Sequence, residues 1–382
     1  MTDHERPREP QREPQDEPQR EPQQDPREYA IALHQDKVGA TLQGEDEERE
    51  LVIVGHKEVV EAAQNPQMFS SAVSAHLQLP NGLDGQEHQR VRALVDSYLA
   101  PEVVAEFAGK FAAVADEVVA DGELVQDPTR AADVFAVRAM LRWLSWPAAL
   151  EAPLLDWMER SEQLAAVKDR ELAAAVAQEY DQLVTQAVAA APKGSVTHHL
   201  AHSHGLEHAE IVSILRNWTA GDLRSLAKCI IVIAQGLATR REVQERLREG
   251  ASAEEFAAIA NELLRMDDPF VSNRRITTCP VSIGGQDVPA GQRVRLHWTG
   301  ANLDPSVFSG FDPQAHADAN LVWGTGVHAC PGKELSLREL EAFFTRLLRD
   351  YEIVLQSGPS GRSARRSPTG GWETSPVHFA RL

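Results

Sequence analysis

One stretch constrains this chain more than any other: Trp323-Gly324-Thr325-Gly326-Val327-His328-Ala329-Cys330-Pro331-Gly332. Glycines, a histidine and a cysteine share one short loop. A run with Leu335, Leu340, Phe343, Phe344, Leu347 and Leu348 at helical spacing follows at once. Proline suits the first helical position, so a helix is expected to open at Pro331 with Cys330 at its entrance. Unpaired backbone N–H groups there favour negative charge and lower the cost of a thiolate. Glycine permits positive φ and close approach of the backbone to a flat ligand. A cysteine held this way suits the role of an anionic metal ligand. The bland alternative is a small buried hydrophobe, the common state of a lone cysteine. A zinc site would need a second Cys/His pair, and the chain has no C-x-x-C.

The chain has 382 residues, enough for one large domain or two ordinary ones, and a net charge of -19. That charge argues against nucleic acid or an anionic membrane as the main partner. Its three cysteines, Cys229, Cys279 and Cys330, are odd in number and far apart, which fits a reducing compartment better than a disulfide framework. The polar N-terminus resembles neither a signal peptide nor an anchor, and the apolar run around Ile230 to Leu237 is too short to span a bilayer. The expectation is a soluble cytoplasmic protein. Residues 1 to 27 repeat Glu-Pro-Gln, as in Glu9-Pro10-Gln11 and Glu21-Pro22-Gln23, and read as a disordered tail. A single folded domain is expected over 28–382.

Four ordered motifs carry a family resemblance. The loop itself is similar to the haem-binding loop of the cytochrome P450 superfamily, with Trp323 in place of the usual Phe and Gly326, His328, Cys330 and Gly332 matching; Gly324 beside them is a further cofactor-binding candidate. His88 and Arg92 lie four apart on one helix face, where the family holds a haem propionate. Glu262 and Arg265 match the family's structural Glu-x-x-Arg pair. Arg275 matches its second propionate-binding arginine. A Phe311-Asp312-Pro313 turn is present, but Ala315 stands where the family has its next arginine; His316 is the one candidate substitute. The resemblance implies a mainly α fold with small β-sheets, the cytochrome P450 fold. It implies haem b as cofactor, with Cys330 as axial thiolate and His88, Arg92, Arg275 and His328 on the propionates. Trp323 would pack beside the sulfur with its N–H free to donate, so that Trp323→Phe would shift the haem potential.

The same resemblance sets a long helix over Ala209 to Thr239 above the haem, with Ala220-Gly221 opening a local kink for dioxygen. The acid and threonine that usually follow are replaced by Leu223 and Arg224; Asp222 comes one place early and Ser225 one place late. Asp222, Arg224 and Ser225 are therefore the candidates for proton delivery, with Arg224 also able to meet an anionic substrate group or to pair within the protein. By family position Val73–Leu83, Trp218, Asp268–Asn273 and Gly370–Trp372 line the pocket, while Trp143, Trp146 and Trp157 read as core. The implied reaction is monooxygenation of a small organic molecule, by hydroxylation or oxidative O-demethylation. Electrons would come from a ferredoxin or flavodoxin served by an NAD(P)H-dependent reductase. The alternatives are a hydrogen-peroxide-dependent peroxygenase and a non-catalytic haem sensor or carrier.

Overall fold

Helices carry most of this computed structural model, which describes residues 25–44, 49–165, 170–356, 365–367 and 370–382. The expected tail lies outside the described residues up to position 24. In chain order the elements are α1 (Pro26–Gln35), β1 (Ala40–Gln43), β2 (Glu50–Ile53), α2 (His56–Ala63), β3 (Phe69–Ser70), α3 (Gly85–Tyr98), α4 (Pro101–Ala105), α5 (Ala108–Ala120), α6 (Pro128–Leu144), α7 (Glu151–Ala165) and α8 (Arg170–Ala190). There follow α9 (Val196–Ser203), α10 (His208–Ala238), α11 (Arg241–Gly250), α12 (Ala253–Met266), β4 (Ser272–Thr277), β5 (Val281–Ile283), β6 (Gln286–Val288), β7 (Arg293–His297), α13 (Trp298–Asn302), α14 (Lys333–Asp350), β8 (Tyr351–Leu355), β9 (Arg365–Arg366), β10 (Trp372–Thr374) and β11 (Val377–Arg381).

The first helix starts earlier than its proline-rich approach suggests. Asp25 caps it by accepting from the Arg27 N–H at 2.8 Å, and Pro26 fits the first turn, where no N–H is needed. Arg27 then pairs with Asp267 at 2.8 Å, which ties this helix to the end of α12.

Two apolar cores organise the rest. The smaller joins Leu51 and Ile53 of β2 to Val294 and Leu296 of β7, under Trp298 and Val59. These strands belong to a five-stranded sheet ordered β1-β2-β7-β4-β3, in which only the β2–β7 pairing is parallel. The larger core surrounds α10, whose Ile214, Leu215, Ile230, Ile233 and Leu237 are buried. Glu207 and Glu210 close a capping box at its start. With 31 residues it is about 46 Å long, enough to cross the whole domain. It is helical throughout, Ala220-Gly221 included. Trp143, Trp146 and Trp157 are all buried in this core. The face of α14 formed by Leu340, Phe343, Phe344 and Leu347 packs into it as well, which fixes the loop that precedes α14.

Candidate functional site

The cysteine loop is held by its backbone. Gly324 and Gly326 have φ of +67° and +74°. A Cβ on Gly326 would sit 2.6 Å from the Ala63 carbonyl oxygen, so only glycine lets the loop lie against the end of α2. The Cys330 N–H donates to the Trp323 carbonyl at 2.8 Å and closes the turn. Pro331 does not open the helix as its residue type suggests. It forms a turn with Gly332, which is the N-cap, and α14 begins at Lys333. The N–H groups of Gly332 and Lys333 nevertheless reach the Cys330 sulfur and favour its thiolate. Desolvation by the surrounding protein acts more strongly and pushes the free thiol up. The cysteine is nonetheless open to solvent. The sulfur is thus surrounded by protein on most sides and still reachable from solvent.

Basic groups converge beside this loop. The His88 ring on α3 lies 4.2 Å from the His328 ring, centroid to centroid. Arg92, one turn further along α3, donates to the Val327 carbonyl at 3.0 Å and pairs with Asp96. Asp84 lies 3.3 Å from His328 Nε2 and is itself engaged by Ser70 and the Ser71 N–H. Burial, followed by the neighbouring positive groups, pulls His88 down and His328 to about 4. Both imidazoles are therefore neutral N–H donors here, and the positive charge belongs to Arg92 and Arg275. Arg275 is 9% exposed, makes no ion pair among the described residues, and spends one donor on the Arg274 carbonyl. Burial pushes its guanidinium below its ordinary range. A buried guanidinium with unmet donors is completed by an anionic ligand.

Across from the loop, Gly221 is exposed in the middle of a central helix, and a Cβ there would touch nothing within 4 Å. Ala220, Asp222, Arg224 and Ser225 are half-buried around it. Asp222 accepts from the Ser336 hydroxyl at 3.3 Å, which joins α10 to α14. Its other oxygen, and both oxygens of Glu339, are buried with no hydrogen-bond partner among the described residues. Burial pushes both carboxyls well above their ordinary range, and the charge of Asp222 adds to the effect on Glu339. Sequence reasoning passed over Glu339. Its place between Leu335 and Phe343, four residues from each on the apolar face, was the signal. Arg224 does not reach toward Cys330. It is ion-paired with Glu162 on α7 and donates to the Ser161 hydroxyl at 3.0 Å.

Below the loop, α12 acts as a buttress. Arg265 donates twice to Glu262, each bond 2.8 Å long, and also to the Asn302 and Gly310 carbonyls. His316 Nδ1 lies 2.8 Å from Glu262 Oε1, so histidine stands where an arginine was missing. Trp323 differs from its expected role. Its N–H donates to Asn261 Oδ1 at 2.7 Å, on α12, and is not free for the sulfur. Trp323→Phe is accordingly expected to cost about 1 kcal/mol of stability for the orphaned Asn261 acceptor. The reduction potential of the haem-loaded protein should hardly move; a large shift in potential with unchanged melting would contradict this assignment. Two surface hollows of about 440 Å³ each, one beside Lys37 and Glu58 and the other beside Lys110 and Trp146, include none of these residues.

Residues 256–376 match a family profile described as Cytochrome P450. A stretch of 142 residues is 35% identical to a putative cytochrome P450 126 of Mycobacterium tuberculosis, covering 36% of this chain and 34% of that one. That match spans about a third of the relative's length. Longer and weaker matches run to the cyclomarin C epoxidase CymV of Salinispora arenicola, 25% identical over 77% of this chain and 82% of that one. The methyl-branched lipid omega-hydroxylase of M. tuberculosis is also 25% identical, over 80% and 79%. Among solved structures, the P450 enzyme CxnD for C–S bond formation superposes with a TM-score of 0.81 at 21% identity, over 94% of this chain and 96% of that one. CYP108D1 of Novosphingobium aromaticivorans gives 0.79 at 17%, over 93% and 94%. No helix among the described residues is long and apolar enough to cross a membrane.

Proposed function

The chain belongs to the cytochrome P450 superfamily, and on that premise we propose that it is a haem-thiolate monooxygenase working in the cytoplasm on a small organic substrate. The observation that carries this reading is Cys330: an accessible sulfur with two backbone N–H groups aimed at it, inside an otherwise enclosing protein. The residues present fit a haem b. Cys330 would supply the thiolate that holds its iron, and Arg92 and Arg275, with the neutral N–H groups of His88 and His328, would hold its propionates. Bound there, the haem would supply dioxygen activation, and the Cys330 thiolate would tune it by donating electron density. Gly221 keeps the opposite wall free of side-chain bulk. Ferredoxin or flavodoxin, reduced through an NAD(P)H-dependent reductase, is the proposed electron source.

Proton supply falls to this chain's own carboxyls. Asp222 is the proposed proton-holding group in the cleft wall, one residue from Gly221, with Ser336 fixing its orientation and Glu339 behind it as a second buried acid. Ser225 lies on the same side of α10 as a further hydroxyl. Asp222→Asn keeps the shape and removes the acid. It is expected to lower product formed per NAD(P)H consumed by about 100-fold, the lower range of general-acid contributions. Electrons would appear instead as released peroxide. Unchanged coupling in Asp222→Asn would remove this residue from the mechanism.

The overall reading is tested by supplying the haem-loaded protein with a ferredoxin, its reductase, NADPH and a substrate library under labelled dioxygen. One labelled oxygen in a product supports it. The missing acid–threonine pair favours a second reading, a peroxygenase; equal turnover with hydrogen peroxide alone would select it.

A further inference from the structure

Resting on the proposed oxygenase reading, we infer that the substrate carries a carboxylate, which displaces Glu162 from Arg224 and Lys228. Positions 221, 224, 225 and 228 fall on one face of α10 by helical spacing. Gly221 is the open point of that face, and Arg224 and Lys228 are its cations. Gly221 and Lys228 are about 10 Å apart along the helix axis. An acid group held by the cations would thus leave the rest of a small molecule lying toward Gly221.

The carboxylate that the two cations share is poorly suited to them. Glu162 is ion-paired to both, at 4.0 Å in the case of Lys228. Its side chain is 41% exposed, whereas those of Arg224 and Lys228 are 22% and 18% exposed. An exposed carboxylate gives little net energy to an ion pair, because water competes for it. The cations have already lost much of their water: burial, and for Lys228 the neighbouring Arg224, pull Lys228 down to about 8, and burial pulls Arg224 down too. Asp133 on α6 also acts on Arg224; burial raises its own carboxyl to about 6, so near neutrality it is still mostly ionised and keeps Arg224 compensated while Glu162 moves aside. Lys228 packs its stem at 3.6 Å from where a Cβ of Gly371 would be, just before β10. A ligand carboxylate entering between α7 and α10 exchanges one anion for another without stranding either cation, and Glu162 returns to water at little cost.

The test is calorimetric binding to the haem-loaded enzyme, with decanoate against decanol and benzoate against benzyl alcohol. At least one acid should bind about tenfold more tightly than its alcohol, with affinity falling as salt is added. Arg224→Gln and Lys228→Gln should each erase most of that preference, while Glu162→Gln, which removes the competing anion, should tighten the acid. The spectrum of the bound haem reports whether each variant still folds and loads. Equal binding of acids and alcohols, absence of acid binding at millimolar concentration, or a preference that survives both cation variants overturns the inference. So does weaker acid binding in Glu162→Gln. Acid-selective binding without oxygenation would leave this inference standing and sink the oxygenase reading; oxygenation of neutral substrates alone would do the reverse.

Discussion

Cys330→Ser protein is expected to lose NAD(P)H-driven oxygenation by more than about 100-fold, beyond the usual effect of changing a residue one shell out from a metal. Serine preserves the size and the loop, since the hydrogen bonds of the turn are made by backbone N–H and carbonyl groups at Trp323, Cys330 and Gly332. What it removes is the anion. An alcohol is far less acidic than a thiol, so the N–H groups of Gly332 and Lys333 would face a neutral oxygen. Folding should be unaffected, because Cys330 is exposed and contributes little to the core. Turnover measured alongside thermal melting separates the two effects. Retention of turnover would place the chemistry elsewhere.

The second large effect falls on stability. Glu262→Ala is expected to cost about 3–5 kcal/mol, because it strands Arg265 in the interior. Glu262 and Arg265 are 1% and 3% exposed, and Glu262 also accepts from the Asp312 N–H at 3.1 Å. His316→Ala should cost less, since it removes one partner of Glu262 and leaves the arginine in place. The pH dependence follows from the same site. Burial raises the Glu262 carboxyl, but its bonds from Arg265, His316 and Asp312 together outweigh burial and hold it below its ordinary range. A lowered carboxyl contributes stability that is present above its unfolded pKa and lost as pH falls through the folded one. Wild-type melting temperature should therefore drop on the acid side, and Glu262→Gln should flatten that limb. Asp222 and Glu339 act with the opposite sign. Their carboxyls are raised, so their contribution is present at low pH and lost as pH climbs through the folded values. Equal acid sensitivity in wild type and Glu262→Gln would remove Glu262 as the titrating group.

Much of this site could be read along the chain because its contacts are local or tied to a motif. Cys330 with its glycines, His88 with Arg92, and Glu262 with Arg265 each sit within a loop or a helical turn. His316 could be named as a candidate from the turn around Asp312. The parts that escaped depend on helices far apart in sequence. Nothing in the run around Trp323 says that its N–H will meet Asn261 on another helix. Nothing near Arg224 says that α7 will bring Glu162 onto it. Pro331 misled for a different reason: its preference for a first turn is a weak prior, and the backbone around the sulfur uses it and Gly332 as a turn instead. Glu339 was visible in principle, as an acid on an apolar helix face.

The most direct test of the account is the Soret band of the reduced carbonyl adduct of the haem-loaded protein. Thiolate ligation by Cys330 predicts the long-wavelength band from which the superfamily takes its name, and its loss in Cys330→Ser. A band at the shorter wavelength of a neutral-ligated haem in the folded wild-type protein would contradict it.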